Sequence, residues 1–574
     1  MNKSKRIIEC VPNFSEGRNM GVIDAIASEI KSVKGVSLLN VDPGEATNRT
    51  VITFVGAPDD VVEAAFRAVK KAGELIDMRQ HHGTHPRMGA TDVLPLIPVS
   101  GITLEECAEL ARRLAKRMSD ELSIPCYCYE AAALKPEHKN LAVCRAGEYE
   151  ALDAKLTTPG KQPDFSPHIE TPEDITERIR RTGCTAVGAR DFLIAVNFNL
   201  NTTSTRRANA IAFDVREKGR PMREDNSLTG KVLKDADGKT IMQPGTLKAT
   251  KAIGWYIDEY GIAQVSMNMT DLNITPLHVA FDEVCRCAQN RGLRVTGTEI
   301  VGLLPRKAII DAGKYFLRKQ KRSTGIPEAD IVNIAIKSMG LDDLKPFNPR
   351  EKVIEYLLED EQEAGKKKLA DLSVKAFAEE TSRESAAPGG GTISAYMGAL
   401  AAALGTMVAN LSSHKRGWDD RWEEFSNWAD RGQTLMDELL RLVDEDTDAF
   451  NAIMDAFAMP KKTDEEIQAR HDAIQAATLF AAQVPLRTMK ASLQTFDICK
   501  AMAEEGNPAS VSDAGVGALA ARAAVHGAGL NVRINAAGLD DKACAQSLID
   551  EAKQLAAEAD KHEQEILKIV EEKL

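Results

Sequence analysis

The chain changes character part-way along its length, and that change limits its possible folds more than any other feature. Up to about residue 345, short β-branched runs such as VSLLNV, RTVITFVG, FLIAVNFNL and AQVSMNMT alternate with amphipathic helical stretches such as MGVIDAIASEIKSV and DDVVEAAFRAVKKAGELI. Such alternation is the signature of an α/β or α+β sandwich, in which each strand buries a face under a neighbouring helix. From about residue 320 onward proline is sparse and long helical segments take over. Segments beginning near Lys366, Thr392, Trp418, Asp464, Ala509 and Leu539 predict a bundle of about five to seven helices.

A chain of 574 residues exceeds what one hydrophobic core serves. The expected architecture is multidomain: two α/β (α+β sandwich) subdomains over residues 1–178 and 179–330, a helical linker over 331–365, and an all-α helical bundle over 366–574. The stretch TTPGKQPDFSPHIETPED, residues 157–174, is rich in proline and acid and is read as the joint between the two subdomains.

A net charge of -12 and a pI near 5.5 exclude a nucleic-acid surface, which needs a concentrated excess of Lys and Arg. Small anionic substrates need only a local basic pocket, which Lys248 and Lys251, or Arg206 and Arg207, can supply. The closest cysteine pairs, Cys126/Cys128 and Cys285/Cys287, are CxC rather than CxxC, so a reducing cytoplasm is expected and no disulfide framework. The N-terminus MNKSKRIIECVPNF has no signal-peptide apolar core. Residues 393–413 are uncharged and approach the length of a membrane span. Their alanines and glycines predict a buried helix in a tightly packed bundle instead, and no membrane span is expected.

Chemistry concentrates in five segments. HHGTHPRMGATDV, residues 81–93, holds three histidines, an arginine and an aspartate. A loop histidine there can take a proton from an attacking amine and return one to a leaving amine. His81 and His85 are four apart, as metal ligands on a helix would be, but Gly83 and Pro86 oppose a helix and no HExxH is present, so no metal is expected. VPNFSEGRN and NVDPGEATNRT place Asn13, Asp42, Asn48 and Arg49 after apolar runs, as ligand-binding groups or equally as turn and cap residues. In SAAPGGGTISAYMG, Gly389, Gly390 and Gly391 precede a helix start, either leaving N–H groups for an anion or permitting close packing. LVDEDTDAFNAIMDAF carries Asp444, Asp446 and Asp448. Alternate helical positions lie about 200° apart, so at least one of the three should face the interior, where its pKa would rise.

CVPNFSEGRN, DPGEATNRTVITFVG, HPRMGATDV, AGEYEAL, GARDFLIAVN and IGWYIDEYGIAQVSMN, in this order, resemble glutamate formimidoyltransferase over about the first 345 residues. The resemblance implies His85 as catalytic proton carrier and Asp42 as its assistant. It implies folate contacts in the segment starting at Ser166, Pro167 and His168, and in GTLKATKAIG, with Gly245, Thr246, Leu247, Lys248, Lys251 and Gly254. Extra residues stand between PDFSP and GCTAVGAR and around KVLKDADGKTIMQP. Transfer between two nitrogens also needs a grip on substrate carboxylate, for which Arg49 or Arg87 is suited.

AAPGGGTISA, MGALAAALGTMV, LVDEDTDAF and VSDAGVGALAARAAVHGAGLNVRIN resemble formimidoyltetrahydrofolate cyclodeaminase, which implies Asp446 as its catalytic aspartate. Both halves in this order resemble the formimidoyltransferase-cyclodeaminase family. That resemblance implies a bifunctional folate enzyme of histidine degradation and one-carbon metabolism. Its substrates would be formiminoglutamate and tetrahydrofolate, the latter a polyglutamylated co-substrate, with no metal and a homo-oligomeric assembly. The rival readings are a metal-dependent amidohydrolase, a methenyltetrahydrofolate cyclohydrolase as the helical half, and a folate-binding scaffold with dead sites.

Overall fold

The structure, a computed structural model, describes residues 6–45, 47–83, 86–224, 230–363, 368–384 and 387–574. The chain forms two compact units, Met1–Ala312 with Met339–Gln362, and Gly313–Ser338 with Glu363–Leu574.

In the first unit, one sheet is built from β1 (Ile7–Cys10), β2 (Asn13–Phe14), β3 (Val36–Gly44), β4 (Arg49–Gly56), β5 (Thr91–Ser100), β6 (Cys126–Glu130) and β7 (Thr185–Ala189). The order is β3, β4, then β1 and β2 side by side with β4 and β5, then β7 and β6. The β5–β7–β6 half is parallel and the rest antiparallel. Strands that run parallel in one sheet need long connections, and α3 (Leu104–Leu122) carries the chain from β5 to β6 on either side of β7, opened by a capping box between Thr103 and Glu106. With α1 (Met20–Lys31) and α2 (Pro58–Leu75), it buries Ile26, Ile30, Ala64, Val69, Leu110 and Leu114 against Ile8, Phe54 and Leu96.

Because β7 lies between β5 and β6, the first sheet runs past the expected boundary at 178. Nor is the 157–174 stretch a joint. Phe165 bridges to Cys126 through both backbone partners, and Tyr127 donates its hydroxyl to the Lys161 carbonyl at 2.7 Å. Its prolines break helix and strand without ending the domain. The passage to the next sheet is the short segment 190–193.

That second sheet is antiparallel, in the order β11 (Thr250–Ile257), β12 (Ile262–Met269), β8 (Ile194–Leu200), β13 (Val295–Val301). Alternation sorts its side chains. Val196, Phe198, Val265 and Met267 face α4 (Thr205–Val215) and α5 (Leu277–Gln289), while Asn197, Asn199, Gln264 and Glu299 face the other way. The KVLKDADGKTIMQP segment is tied to the fold by the antiparallel pair of β9 (Arg220–Pro221) and β10 (Met242–Gln243).

α6 (Arg306–Lys319) runs from the first unit into the second, and the span expected as a linker, 331–365, is divided between them: α7 (Glu328–Met339) belongs mainly to the second unit and residues 339–362 to the first. The second unit is otherwise α8 (Gly390–Ser413), α9 (Trp422–Ala458), α10 (Asp464–Glu505), α11 (Val511–Ala536) and α12 (Lys542–Lys573), preceded by a short helix, Val374–Thr381. The helix start expected near Lys366 lies outside the described residues. By length and composition α8 resembles a membrane span, yet 61% of its most apolar window is buried in the bundle. It packs on α9, α10 and α11 through small residues. A Cβ on Gly398 would lie 2.4 Å from Ser492 of α10, one on Gly432 of α9 would lie 2.1 Å from Thr406 of α8, and one on Gly527 of α11 would lie 2.4 Å from Ser394 of α8. The expected all-α bundle after an α/β region is what forms.

Candidate functional site

The first sheet carries a buried charge cluster at its centre. Asp92 opens β5 and is fully buried. Its Oδ2 accepts from Arg49 at 2.5 Å and Arg145 at 2.7 Å, and its Oδ1 accepts the Met88 N–H at 3.0 Å. Burial alone would raise its pKa, but the two guanidiniums outweigh burial and hold the carboxyl below its ordinary value. Arg49 also donates Nε to Asn13 Oδ1 at 2.9 Å, and Asn13 Nδ2 donates to Val11 O at 3.0 Å. Arg49, expected to grip a substrate carboxylate, is therefore committed to Asp92 and Asn13. Arg145 was not singled out in the sequence, yet its buried Nε has no hydrogen-bond partner among the described residues. Two arginines on one carboxylate leave an uncompensated positive charge, which an anionic substrate complements.

The histidine-rich loop divides its labour. Arg87 binds Glu150 through two contacts of 2.7 and 2.8 Å and Glu148 at 3.0 Å, so it too is committed internally. Arg87 Nε donates to His81 Nδ1 at 3.4 Å, which makes Nε2 the protonated nitrogen, donating to the Asn48 carbonyl at 2.8 Å. Burial lowers the His81 pKa, so it is a neutral strut. His82 is exposed, and its carbonyl accepts from Asn48 Nδ2 at 2.9 Å. A cavity of about 360 Å³ opens beside His81, His82, Arg87 and Glu150. His85 lies outside the described residues. Among the described residues no three His, Cys, Asp or Glu converge as a metal site.

Asp42 lies on β3 opposite Val51 and is half-buried. Burial raises its pKa; Lys352 and Lys345 oppose that shift and Glu299 adds to it. Glu299 belongs to the polar face of the second sheet, a network that single-residue motifs did not reveal. Asn197 Nδ2 donates to Glu299 at 3.0 Å, Gln264 Nε2 donates to Asn199 Oδ1 at 2.9 Å, and Trp255 Nε1 donates to Gln264 Oε1 at 3.0 Å. The only available signal was polar residues at alternate positions of strands that are otherwise apolar.

The residues expected to touch folate do not share one surface. Ser166 and His168 are exposed and Pro167 half-buried on a loop after Phe165, with His168 3.3 Å from Glu170. Gly245, Thr246 and Leu247 run beside the end of α4, where the Thr246 and Leu247 amides donate to Asp214 O and Val215 O. Gly254 is buried against α4 with both backbone groups taken by Asn209. Lys248 and Lys251 are exposed, and strand alternation puts Lys251 on the sheet face away from α4.

In the bundle, Gly389, Gly390, Gly391, Asp446, Asn531 and Asn535 line one cavity of about 100 Å³. Asp446 Oδ2 accepts the Thr392 hydroxyl at 2.8 Å. Burial raises its pKa, partly offset by bonds from Thr392. A Cβ on Gly391 would sit 2.2 Å from Asp446 Oδ1, so the glycine is what admits the carboxylate to the start of α8. Of the other two aspartates, Asp448 is exposed and Asp444 accepts the Leu369 N–H at 2.7 Å. Asn535 is the missed residue here. Pro485, inside α10, has no N–H for the Ala481 carbonyl, and Asn535 Nδ2 donates to that oxygen at 2.7 Å.

Three family profiles match the chain in succession: the formiminotransferase domain, N-terminal subdomain, over residues 7–190; the formiminotransferase domain over 195–359; and formiminotransferase-cyclodeaminase over 373–554. Formimidoyltransferase-cyclodeaminase of Gallus gallus is 42% identical over 96% of this chain and 98% of its own length. Glutamate formimidoyltransferase of Streptococcus pyogenes is 40% identical over 54% of this chain and 94% of its own. Methenyltetrahydrofolate cyclohydrolase of Methylorubrum extorquens is 36% identical over 35% of this chain and 97% of its own. With both halves matched in order and almost end to end, the chain belongs to the formimidoyltransferase-cyclodeaminase family.

Proposed function

We propose that this chain moves the formimino group of formiminoglutamate to N5 of tetrahydrofolate, releasing glutamate, and then closes the product to 5,10-methenyltetrahydrofolate with loss of ammonia. The observation that carries this reading is the near end-to-end match to a protein named for both activities. Transfer needs a group that accepts the proton of the attacking nitrogen and delivers it to the departing glutamate nitrogen. We assign that relay to His85, with Asp42 steadying its cationic form. The excess positive charge of Arg49 and Arg145 over Asp92 draws the substrate carboxylate.

In the second step N10 attacks the formimino carbon and ammonia departs. Asp446 carries the proton to it; a carboxyl lifted by burial retains a protonated fraction closer to neutrality. The same reading makes the protein a transferase and lyase of histidine breakdown. It would take polyglutamylated tetrahydrofolate without a metal, as a homo-oligomer. Its ten unpaired cysteines suit a reducing cytoplasm.

A second reading, in which the helical half hydrolyses methenyltetrahydrofolate, is favoured by the likeness to the cyclohydrolase. One assay separates them. Chelator-treated protein given formiminoglutamate and tetrahydrofolate should produce methenyltetrahydrofolate absorbance and ammonia together. Absorbance that requires restored metal would sink the metal-free reaction, and methenyltetrahydrofolate consumption without ammonia release would favour the cyclohydrolase. His85→Ala should stop transfer alone and Asp446→Ala cyclisation alone.

A further inference from the structure

On the helix side of the second sheet, opposite the face that carries Lys251 and the Glu299 network, lies a cavity of about 750 Å³. Its lining includes five arginines, Arg206, Arg207, Arg220, Arg223 and Arg291, and no acidic residue among the described ones. They come from separate parts of the chain: the first turn of α4, the β9–β10 pair and the residues next to it, and the turn after α5. An adjoining cavity of about 350 Å³ shares Arg220, Arg291 and Gln243 with it and adds Arg286, Asp214 and Thr246.

Among the described residues the local acids are already engaged. Asp214 is held by both Arg220 and Arg291, and Glu283 is taken by Arg286. Arg223 donates to Gly230 O at 2.7 Å and Arg207 to Arg291 O at 3.2 Å, neutral carbonyls that orient the guanidiniums without cancelling them. The start of α4, with Ser204 accepting the Arg207 N–H at 3.3 Å, adds its own positive end to the same wall. Like charges gathered on one concave surface repel each other, and a solvated face would spread them apart. Planar forks converging on a hollow match ligands with several acidic groups.

We propose that this cavity, on the sheet face opposite Lys251, binds a small polyanion with three or more acidic groups, an oligocarboxylate or an oligophosphate. Both chemistries present the same row of acceptor oxygens, and they are distinguishable by experiment. The full chain, at low salt, is titrated calorimetrically with tripolyphosphate and with penta-γ-glutamate lacking any pteridine, and with glutamate as a single-charge control.

The expected result is one polyanion bound per chain, weakening as salt rises, with glutamate much weaker. Preference for penta-γ-glutamate assigns the site to the tail of a folate, and preference for tripolyphosphate to a nucleotide-like ligand. Arg206→Gln, Arg223→Gln and the double variant should each weaken binding, the double by at least about tenfold, while circular dichroism and both activities on monoglutamyl folate stay unchanged. Absence of binding by either polyanion, or equal binding by the folded double variant, overturns the proposal.

Discussion

Asn535 donates its side-chain amide to the carbonyl of Ala481 at 2.7 Å, the oxygen that Pro485 leaves without an N–H one turn later. A break in one helix is thereby used to fix a polar side chain of another at the wall of the Asp446 cavity.

Pro485→Ala restores the missing N–H, which competes for Ala481 O and releases Asn535. Proline in a helix interior costs up to about 3 kcal/mol, so the bundle should melt at the same temperature or higher. Cyclisation of supplied 5-formiminotetrahydrofolate should nonetheless fall by about ten- to a hundredfold, because a loosened wall misplaces the reacting atoms. Full cyclisation activity in this variant would show that Asn535 has no part in the site.

The two glycines that open α8 should differ in their tolerance. A methyl group on Gly391 meets Asp446 Oδ1 at 2.2 Å, whereas one on Gly390 meets Asn531 Nδ2 only at 3.4 Å. Gly391→Ala should reduce cyclisation by about a hundredfold or more with transfer intact, and Gly390→Ala should reduce it far less. Separate assays of the two steps check this, and equal effects would contradict the role given to Gly391.

Asp92→Asn leaves Arg49 and Arg145 buried without their shared carboxylate. Removing one partner of a buried ion pair costs about 3–5 kcal/mol. After incubation in increasing urea, transfer activity should be lost at a clearly lower concentration than in the parent, while the midpoint for cyclisation stays where it was.

Glu9 gives the first unit a pH dependence. Burial drives its pKa from 4.5 to about 7, against the pull of Arg190 and with help from Glu355. Because the folded pKa is the higher one, its contribution is complete below about pH 4.5 and is lost as pH rises through about 7. The full change is about 3 kcal/mol. Glu9→Gln should therefore melt later than the parent at pH 8, with the advantage vanishing toward pH 5; a constant difference across that range would refute the linkage.

The alternation of β-branched runs and the later loss of proline were enough to read the two fold classes, since both follow from local periodicity. The Gly389–Gly391 run and Asp446 were also legible, because one helix start and one helix face carry them. Arg49 and Arg87 were legible as arginines near a site but not as internal struts, since their partners Asp92, Glu148 and Glu150 are chosen by tertiary packing. Arg145, Asn535 and the Asn197–Gln264–Glu299 network went unread for the same reason. The 157–174 stretch misled because proline reports a local break, whereas domain membership depends on where β7 finds its neighbours.

The small-residue packing of the bundle bears on how relatives can diverge. Gly432 leaves room for Thr406, Gly527 for Ser394 and Gly398 for Ser492, so neither member of a pair is free to drift alone. A larger residue at one position becomes acceptable only once its opposite number has shrunk. Substitution histories across the family should thus show these positions changing in matched pairs, with α8 as the common member linking the fates of three neighbouring helices.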